Sequence, residues 1–592
     1  MLRDMRTGRR SLALAAPHTA ATEAGVAAFA DGGTAVDAAL AACATLTVAY
    51  PHMCSIGGDA IALLHAPDGT VTAVNGSGAA PAALDAARVR AALERDPAPV
   101  TRTGMPIRGP HTVTVPGVLA AWETLRQLGG ALPLDRLLRP AIGLAADGCR
   151  VSRSLAAALA EERVLFARDP GLRAAFFRPP ETMPGGAASR GAPPDATPLG
   201  EGDLYRLTAL AESLDAIARL GVDTFYRGDL GARYVAGLRA AGSVMTTADL
   251  AAHETEVVDP LAAVAFGHEV LTAPPNSQGY VLLALLKAME AVSRSDACGA
   301  TDQDAATCPG APTSRATPTP AAMIIRSISP HERPPDPLGP EASRLACLFR
   351  LVSDDRDGYL CDPRRHAVPL DTLLGDDRAR RLAEAALADG RTPEPVLPDA
   401  APPRAGGDTI ACVAADSHGW AVTIIQSVYH AFGAAILEPE TGIVAHDRGA
   451  CFSLDPSSPN LLEGGKRPLH TLMPVMVRRD SRLALVAGTM GGEAQPQIHA
   501  QILCRLLHPD AGDLATAVAA PRWICDEGAI LAETDVPPAC LAALRTVGMP
   551  LKVLRHQDET VGHAQYVRLG LEGPLEAASD PRADGAGTLI TV

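Results

Sequence analysis

A threonine that follows two glycines is the first candidate for chemistry in this sequence. The run Gly406-Gly407-Asp408-Thr409 gives the backbone unusual freedom just before a segment with strand-like alternation. A threonine hydroxyl is a weak nucleophile unless a base lies beside it. One solution makes threonine the first residue of a chain, so that its own α-amine is the base. That solution requires cleavage between Asp408 and Thr409, whereas on local features alone a loop entering a strand explains the same residues.

A second hydroxyl would lie opposite Thr409 if the following segment forms a hairpin. Ser417-His418-Gly419 is typical of a three-residue turn with glycine in a left-handed conformation. The register set by this turn pairs Thr409 with Ser427, and such cross-strand neighbours lie within about 5 Å of each other. Ser427 would then hydrogen-bond the α-amine and orient it. The alternative is an ordinary strand serine.

A glycine pair near residue 490 is a candidate for stabilising negative charge. Gly491 and Gly492 follow a strand-like run and precede a helical one. Their backbone N–H groups could point at a developing oxyanion. A tight turn from strand to helix explains the same residues.

The segments that must position these groups differ in composition and periodicity along the chain. Residues 115–255 are largely helical in composition, whereas residues 409–428 alternate and are rich in β-branched side chains. Residues 293–334 are rich in Asp, Thr, Ser, Pro and Gly, and we expect a disordered surface insertion there. Residues 392–408 form a Pro/Gly linker. The sequence therefore predicts a helix-rich first two-thirds, a flexible joint and a sheet-rich last third.

Shorter patterns predict individual elements around the candidate groups. Residues 35–48 are uniformly apolar and predict a helix buried against a sheet. Residues 60–64 and 71–74 predict a hairpin around a Pro-Asp-Gly turn. Two more strand-like runs lie within residues 469–488, and residues 496–507 predict a helix.

Composition and charge exclude several classes of function. The 592 residues include 52 Lys+Arg and 67 Asp+Glu, which gives a net charge of −15. This negative charge argues against nucleic-acid binding. It also gives no reason to expect binding to an anionic membrane surface. The 12 cysteines include no C-x-x-C pair, so we expect no metal site and a reducing compartment. No apolar run reaches 18 residues, and the run from Ser11 to Ala16 is too short for a signal peptide, which predicts a cytoplasmic protein.

Motifs of three large enzyme classes are missing. The sequence contains no G-x-S-x-G nucleophile elbow, no G-x-G-x-x-G dinucleotide fingerprint and no G-x-x-x-x-G-K-[ST] phosphate loop. A conventional serine hydrolase, a Rossmann enzyme and a P-loop NTPase therefore lose support.

A series of short motifs extends over nearly the whole chain. They are Asp31-Gly-Gly-Thr-Ala-Val-Asp-Ala-Ala39, Pro51-His52 with Ile56-Gly57-Gly58, Phe225-Tyr-Arg-Gly228, Pro274-Pro-Asn-Ser-Gln-Gly279, Gly407-Asp408-Thr409, Lys466-Arg467-Pro468 with Pro474, Gly491-Gly492, and Gly562-His563-Ala564 with Asp580-Pro-Arg-Ala-Asp-Gly585. In these motifs and in their order the chain resembles the γ-glutamyltranspeptidase family of N-terminal-nucleophile (Ntn) hydrolases. The resemblance raises the catalytic interpretation of Thr409 far above what its local sequence supports.

The resemblance implies an α/β fold, a four-layer αββα Ntn-hydrolase sandwich formed by the large and small chains of one precursor. Thr409 would cleave the Asp408–Thr409 bond, giving a large chain of residues 1–408 and a small chain of residues 409–592. Its hydroxyl would then attack an amide substrate, with its α-amine as base and with Gly491 and Gly492 holding the oxyanion. No metal or organic cofactor is implied.

Four residues at three sites depart from the transpeptidase pattern for holding a glutamyl head group. Ser77 stands where transpeptidases have an arginine for the α-carboxylate, and Cys451 stands where they have an aspartate for the α-amine. His470-Thr471 replaces a pair of serines. The loss of a charge-assisted contact at each end would weaken such a substrate by roughly 1.5–3 kcal/mol per contact. Glutathione hydrolysis is therefore not the expected main activity.

Other positions are similar to the branch of the family that includes oxamate amidohydrolase. The pattern comprises Asn75-Gly-Ser-Gly78, Gln426-Ser-Val-Tyr-His430 and Arg448-Gly-Ala-Cys-Phe-Ser-Leu-Asp455. It makes Tyr429 and His430 expected substrate contacts. Oxamate is a small amide that carries a carboxylate, and the hypothesis is that Arg448, His470 or both supply the positive group for it. A surface arginine and a structural histidine are the plain alternatives.

Four functions and the oligomeric state stay open at this point. A small-amide hydrolase is the main interpretation, and a γ-glutamyltransferase or glutathione hydrolase, a cephalosporin or glutaryl acylase, and a non-catalytic binding homologue are the alternatives. The last is kept because residues 345–356 depart from the family's pattern. The expected partners are a small-molecule amide and the two chains of one precursor, and a homodimer of the processed heterodimer is left open.

Overall fold

The computed structural model describes residues 9–178, 196–304, 333–388, 408–508, 510–526, 528–570 and 575–592. The strands are β1 (Ser11–Ala16), β2 (Asp59–His65), β3 (Val71–Asn75), β4 (Cys149–Arg150), β5 (Leu204–Tyr205), β6 (Glu256–Val258), β7 (Leu261–Ala265), β8 (His268–Thr272), β9 (Asp408–Asp416) and β10 (Ala421–Tyr429). They continue as β11 (Leu437–Glu438), β12 (Ile443–Val444), β13 (Val475–Arg479), β14 (Arg482–Thr489), β15 (Trp523–Cys525), β16 (Ile530–Glu533), β17 (Leu551–Leu554), β18 (Ala564–Arg568), β19 (Glu576–Ser579) and β20 (Ala586–Thr591).

The helices alternate with these strands. They are α1 (Thr19–Ala30), α2 (Ala35–Ala49), α3 (Ala86–Arg95), α4 (Val118–Gly129), α5 (Leu134–Asp147), α6 (Arg153–Glu161), α7 (Arg163–Phe166), α8 (Pro170–Phe176), α9 (Thr208–Leu220) and α10 (Asp223–Tyr226). The rest are α11 (Asp229–Ala240), α12 (Thr247–Ala251), α13 (Gly279–Asp304), α14 (Ala342–Tyr359), α15 (Leu370–Leu373), α16 (Asp376–Ala388), α17 (Gln495–Leu506), α18 (Leu514–Ala519) and α19 (Pro538–Arg545).

Two sheets packed face to face form the centre of the fold. The first has seven strands in the order β20-β1-β9-β10-β2-β3-β6, and the second has six in the order β19-β18-β14-β13-β8-β7. A core layer between them joins Ala13 and Val413 of the first sheet to Met476, Val486 and Val567 of the second. Apolar faces on both sides of a sheet must be covered, and helices cover the two outer faces here.

The outer layers complete a four-layer αββα sandwich, as expected. Helices α1, α2 and α4 pack on the first sheet and α5 packs on α2, whereas α13 and α17 pack on the second sheet and α14 and α16 pack on α13. Helix α2 is buried along its whole length and is capped by Thr34, whose side chain and that of Asp37 form a capping box. The predicted buried helix and the β2–β3 hairpin are both confirmed.

Strands from before residue 408 and strands from residue 408 onward contribute to both sheets. In the first sheet, β9 lies between β1 and β10, and β10 pairs in turn with β2. In the second sheet, β13 pairs with β8. The strands after residue 408 are therefore hydrogen-bonded to strands before it, and a cut at this point would leave the two pieces held by continuous ladders.

Two expected boundaries need correction. The predicted disordered insertion begins too early, because α13 continues to Asp304 and its start at Gly279 is strongly apolar. A helix already nucleated by packed residues extends through polar ones at little cost. The rest of that segment to residue 332, and residues 392–407 of the predicted linker, lie outside the described residues. Asp408, placed at the end of that linker, instead opens β9.

Candidate active site

Thr409 and Ser427 face each other at one end of the central hairpin. The predicted register is confirmed, since Ser427 pairs with Thr409 and Gly419 of the turn has a φ of 97°. Both side chains are buried, and the Thr409 hydroxyl donates to the Ser427 hydroxyl at 3.0 Å. Ser427 in turn donates to the carbonyl oxygen of Asp408 at 2.7 Å. A continuous hydrogen-bonded path therefore joins the Thr409 hydroxyl to the carbonyl that precedes it.

A β-bulge follows Ser427 and gives Tyr429 an unusual backbone conformation. The register shifts between Ser427 and Tyr429, so that Tyr429 pairs with Asp408. Tyr429 has a φ of 81°, which costs a non-glycine residue on the order of 1–3 kcal/mol. Its N–H donates to the Ser427 hydroxyl at 2.8 Å. The bulge re-aims the tyrosine ring across the guanidinium of Arg448, whose Cζ lies 4.3 Å from the ring centre.

Arg448 is a buried cation whose contacts are all neutral. It begins a short 3-10 helix, Arg448–Cys451, and is 1% exposed. Its guanidinium donates to the Thr471 hydroxyl at 2.9 Å and to Ser427 at 3.4 Å, and its Nε has no partner. Within the described residues no carboxylate forms an ion pair with it. Buried charges are usually paired directly, so a guanidinium without an ion-pair partner is suited to receive an anion.

His470 lies in the same buried region but is held as a neutral side chain. Its Nε2 donates to Asp59 at 3.1 Å, and its Nδ1 accepts from the N–H of Leu472 at 3.2 Å. Burial and the charge of Arg448 lower its pKa to about 3. His470 is therefore a weaker candidate than Arg448 for the positive group, and the assignment of that group stays a prediction.

Asp59 organises this region and was missed by the sequence reasoning. It opens β2 opposite Ser427, is fully buried, and accepts from His470 and from the N–H of Gly78. Burial acts to raise its pKa, but His446, His470 and Arg448 outweigh that effect and lower it. Asp59 therefore stays ionised. A charged residue opening an otherwise apolar strand directly after Gly57-Gly58 is the signal that could have identified it.

Besides His470, the three other residues that depart from the transpeptidase pattern lie in different surroundings. Thr471 contacts Arg448, and the Cys451 sulfur lies 3.7 Å from the same guanidinium, although burial raises the pKa of this thiol. The Ser77 hydroxyl is instead committed to Asn75 at 2.7 Å and to Asn276. Thr471 and Cys451 therefore belong to the surroundings of Arg448, whereas Ser77 belongs to a separate buried amide cluster.

The register between the two sheets brings the glycine turn to the Thr409 end of β9. Thr423, which pairs with Val413, donates to the carbonyl of Ala487 at 2.9 Å. A Cβ added to Gly488 would lie 2.8 Å from the Cβ of Ala411. Ala487 thus lies near Val413, and the next residue of β14, Gly488, lies near Ala411. The end of β14 therefore points toward Thr409.

The turn after β14 presents two adjacent glycine N–H groups. Gly491 and Gly492 have φ values of 139° and 51°, and a 3-10 helix, Gly492–Ala494, follows. Neither N–H donates to an acceptor within the described parts of the chain. Two free N–H groups at a helix start can hold an oxyanion.

A cavity of about 700 Å³ opens over this region. Tyr429, His430, Cys451 and Glu493 are among its lining residues, whereas Thr409 and Arg448 are buried and are not part of its wall. The Nδ1 of His430 lies 2.6 Å from a carboxylate oxygen of Asp447. Tyr429 and Cys451 thus separate the cavity from Arg448 in the uncut chain.

The surroundings of the Asp408 carboxyl disfavour its ionised form. Burial and the nearby Glu559 raise its pKa to about 7, and Arg108 and His430 act against this rise. The residue before the candidate cleavage site therefore titrates near neutral pH in the uncut chain.

Two properties of the described residues concern metals and membranes. No group of three or more His, Cys, Asp or Glu side chains in them is arranged to hold a metal ion. None of their helices combines the length and the apolar composition that a membrane crossing requires.

Comparisons with known proteins extend over nearly the whole chain. A family model described as gamma-glutamyltranspeptidase matches residues 21–308 and 325–590. An oxamate amidohydrolase proenzyme of Klebsiella pneumoniae is 33% identical over 96% of this chain and 97% of its own. A glutathione hydrolase-like proenzyme of Bacillus subtilis is 32% identical over 97% of each.

A solved structure agrees with these sequence matches. The crystal structure of a cephalosporin acylase from Bacillus halodurans superposes with a TM-score of 0.78 at 27% identity, covering 98% of this chain and 96% of that one. The likeness therefore includes both sheets and both helical layers.

Proposed function

The chain belongs to the gamma-glutamyltranspeptidase family and is an enzyme, and we propose that it is a self-processing amidohydrolase for a small amide that carries a carboxylate. The acyl group would be carried by Thr409, and oxamate is the model substrate. The observation that carries this proposal is the hydrogen-bonded path from the Thr409 hydroxyl through Ser427 to the Asp408 carbonyl. Family membership sets aside the alternative of a non-catalytic binding protein.

The first reaction would be cleavage of the chain itself. The Thr409 oxygen attacks the carbonyl carbon of Asp408, and the Ser427 hydroxyl stabilises the charge that develops on the carbonyl oxygen. The C–N bond breaks, the acyl group passes to the Thr409 oxygen, and water hydrolyses the ester. The products are a new carboxyl at Asp408 and a free α-amine at Thr409, hence a large chain of residues 1–408 and a small chain of residues 409–592. The proenzyme names of two relatives support this route.

The second reaction would use the groups that cleavage releases. The α-amine accepts the proton of the Thr409 hydroxyl as the oxygen attacks the substrate amide. The N–H groups of Gly491 and Gly492 hold the oxyanion of the tetrahedral intermediate. Water or an amine then opens the acyl-enzyme, giving hydrolysis or transfer.

Arg448 would recognise the carboxylate of the substrate. It is buried, no carboxylate in the described residues forms an ion pair with it, and its neighbours Thr471 and Ser427 are neutral donors or acceptors. A guanidinium presents a planar pair of donors that matches a carboxylate. Cys451 and Ser77 offer no charge for an α-amine and a second carboxylate. This makes glutathione a poorer candidate than an amide with a single carboxylate.

An acylase acting on glutaryl-type amides is the second candidate. The cavity of about 700 Å³ is far larger than oxamate needs, and the superposed cephalosporin acylase covers nearly the whole chain. The same Arg448 would then bind the distal carboxylate of the longer acyl group. The two candidates differ only in the distance between the amide and the carboxylate.

A substrate panel on the processed protein tests the proposal. Oxamate, glutaryl amides and glutathione are compared by release of ammonia or amine, with the Thr409→Ala variant as control. We expect release from oxamate or from glutaryl amides above that from glutathione, and no release by Thr409→Ala. Equal or greater turnover of glutathione would reject the proposed substrate class. Undiminished turnover by Thr409→Ala would reject the proposed nucleophile.

A further inference from the structure

His430 stands on the cavity wall directly after the strained Tyr429. Its side chain is 15% exposed, whereas Asp447 beneath it is fully buried. The ring Nδ1 lies 2.6 Å from one oxygen of Asp447, and the backbone N–H of His430 donates to the other oxygen at 3.1 Å. A carboxylate only accepts, so Nδ1 carries a proton and Nε2 is the nitrogen left for the cavity.

Asp447 is fixed by the same loop that presents Arg448. Its N–H donates to the carbonyl of Val428 at 3.1 Å, and its carbonyl accepts from Ala450 at 2.9 Å. One buried aspartate therefore orients His430 while the next residue supplies the proposed carboxylate receptor. A loop that only filled space would not need an ionisable pair at the cavity.

The position of His430 relative to Thr409 follows from the strand register. Tyr429 pairs with Asp408 and Ser427 pairs with Thr409, so His430 lies one residue beyond the pair that flanks the proposed cleavage site. Its charge influences the Asp408 carboxyl, although burial and Glu559 have larger effects on that group's pKa. His430 therefore lies at the end of the hairpin that carries the reacting bond.

Building on the acyl-Thr409 route above, we propose that His430 is a catalytic residue that transfers the proton of the leaving amine, with Asp447 as its positioning residue. In acylation the α-amine takes the proton of the Thr409 hydroxyl, and the Nε2–H of protonated His430 passes to the departing nitrogen. In deacylation Nε2 takes a proton from the attacking water. The Thr409 oxygen leaves with the proton held by the α-ammonium, which restores both groups.

In this scheme the α-amine of Thr409 takes the proton of the hydroxyl, and His430 gives a proton to the leaving nitrogen. Without His430 the α-amine would have to perform both transfers in turn. Ammonia and alkyl amines cannot leave as anions, so their departure requires a proton at the nitrogen. A well-placed acid or base contributes about 10²–10⁴-fold to such a step. A phenolate leaves without a proton, so an ester of the same acyl group needs His430 only in deacylation.

Leaving-group dependence tests the assignment. Oxamate and the p-nitrophenyl monoester of oxalate form one matched pair, and glutaryl amide with its p-nitrophenyl ester forms the other; the pair used is the one that wild type turns over. We expect His430→Gln to lower amide turnover about 10²–10⁴-fold while the first-turnover burst of p-nitrophenol stays within about threefold of wild type. Slow ester turnover after the burst should follow, because deacylation has lost its base.

Matched variants separate a catalytic role from a structural one. Asp447→Asn should show the same pattern more weakly and serves if His430→Gln does not fold. His556→Gln removes an exposed His–Asp contact of 3.0 Å and should leave both substrates unaffected. An amide rate equal to wild type, or a burst slowed as much as the amide rate, would overturn the assignment. A burst that persists in Thr409→Ala would instead reject the nucleophile and not the role of His430.

Discussion

The Thr409 hydroxyl donates a hydrogen bond of 3.0 Å to the Ser427 hydroxyl, which itself donates to the carbonyl of residue 408 at 2.7 Å. The serine therefore contacts both the attacking oxygen and the oxygen on which negative charge would develop. In the uncut chain this makes Ser427 part of the cleavage reaction.

Replacing Ser427 should slow cleavage of the chain. Ser427→Ala removes the donor to the Asp408 carbonyl, and loss of one oxyanion donor costs about 10²–10³-fold in rate. Ser427→Thr keeps a hydroxyl in a strand that tolerates β-branching and should cleave at close to the wild-type rate. Denaturing gels of freshly purified protein over time give the rates. Equal cleavage rates for Ser427→Ala and wild type would rule out this role.

Removing the buried cation should affect substrates according to their charge. Arg448→Ala takes away the proposed carboxylate partner, and we expect a rise in KM of about 10- to 100-fold for oxamate. Oxamide, the neutral analogue, should be turned over by the variant and by wild type with similar KM values. Steady-state kinetics with the two compounds provide the comparison. A similar loss for both compounds would mean that Arg448 acts on structure and not on the carboxylate.

The carboxyl of Asp408 should make the stability of the uncut chain depend on pH. Its pKa is about 7 in the fold and close to 3.9 in an unfolded chain, so its contribution is fully present below pH 4 and is lost as pH rises through 7. Because Asp408 is partly exposed, solvent reduces the effect to about 1–2 kcal/mol.

A pair of uncleaved variants measures this effect. Denaturant unfolding of Thr409→Ala is compared with that of Asp408→Asn/Thr409→Ala at pH 5 and pH 8. The asparagine variant should gain stability relative to its parent at the higher pH. A difference between the two variants that does not change with pH would contradict the raised pKa.

A side chain at Gly491 should impair catalysis more than the same change elsewhere. Its φ is 139°, a backbone conformation that residues with a Cβ rarely adopt, and an added Cβ would lie 2.4 Å from Ile498 Cδ1, so Gly491→Ala strains the turn that presents the N–H groups. We expect kcat to fall about 10²–10³-fold with little change in KM. Gly548→Ala is the control, since Gly548 has a φ of 84° and open space around it. A kcat loss no larger than that of the control would exclude Gly491 from the oxyanion site.

The local part of the site could be predicted because it depends on one hairpin. The Ser417–Gly419 turn sets the register, and the register places Ser427 opposite Thr409. The alternation and buried character of neighbouring segments likewise predicted α2 and the β2–β3 hairpin. These features involve residues close together in sequence, for which pattern and turn type suffice.

The buried electrostatic network could not be predicted because it joins distant segments. Asp59 and His470 are 411 residues apart and contact each other, and burial together with the charge of Arg448 lowers the pKa of His470 despite that contact. The commitment of Ser77 to Asn75 and Asn276 likewise depends on a loop from the second sheet. The extension of α13 was missed for a different reason, since cooperative helix growth outweighed a composition typical of loops.

Intact mass spectrometry of the protein quenched during substrate turnover tests the central claim most directly. We expect two chains, with the small chain beginning at Thr409, and a fraction of that chain heavier by one acyl group located on Thr409. The Thr409→Ala protein should appear as a single uncut chain without an adduct. A wild-type chain that stays in one piece, or an acyl group located on another residue, would contradict the account.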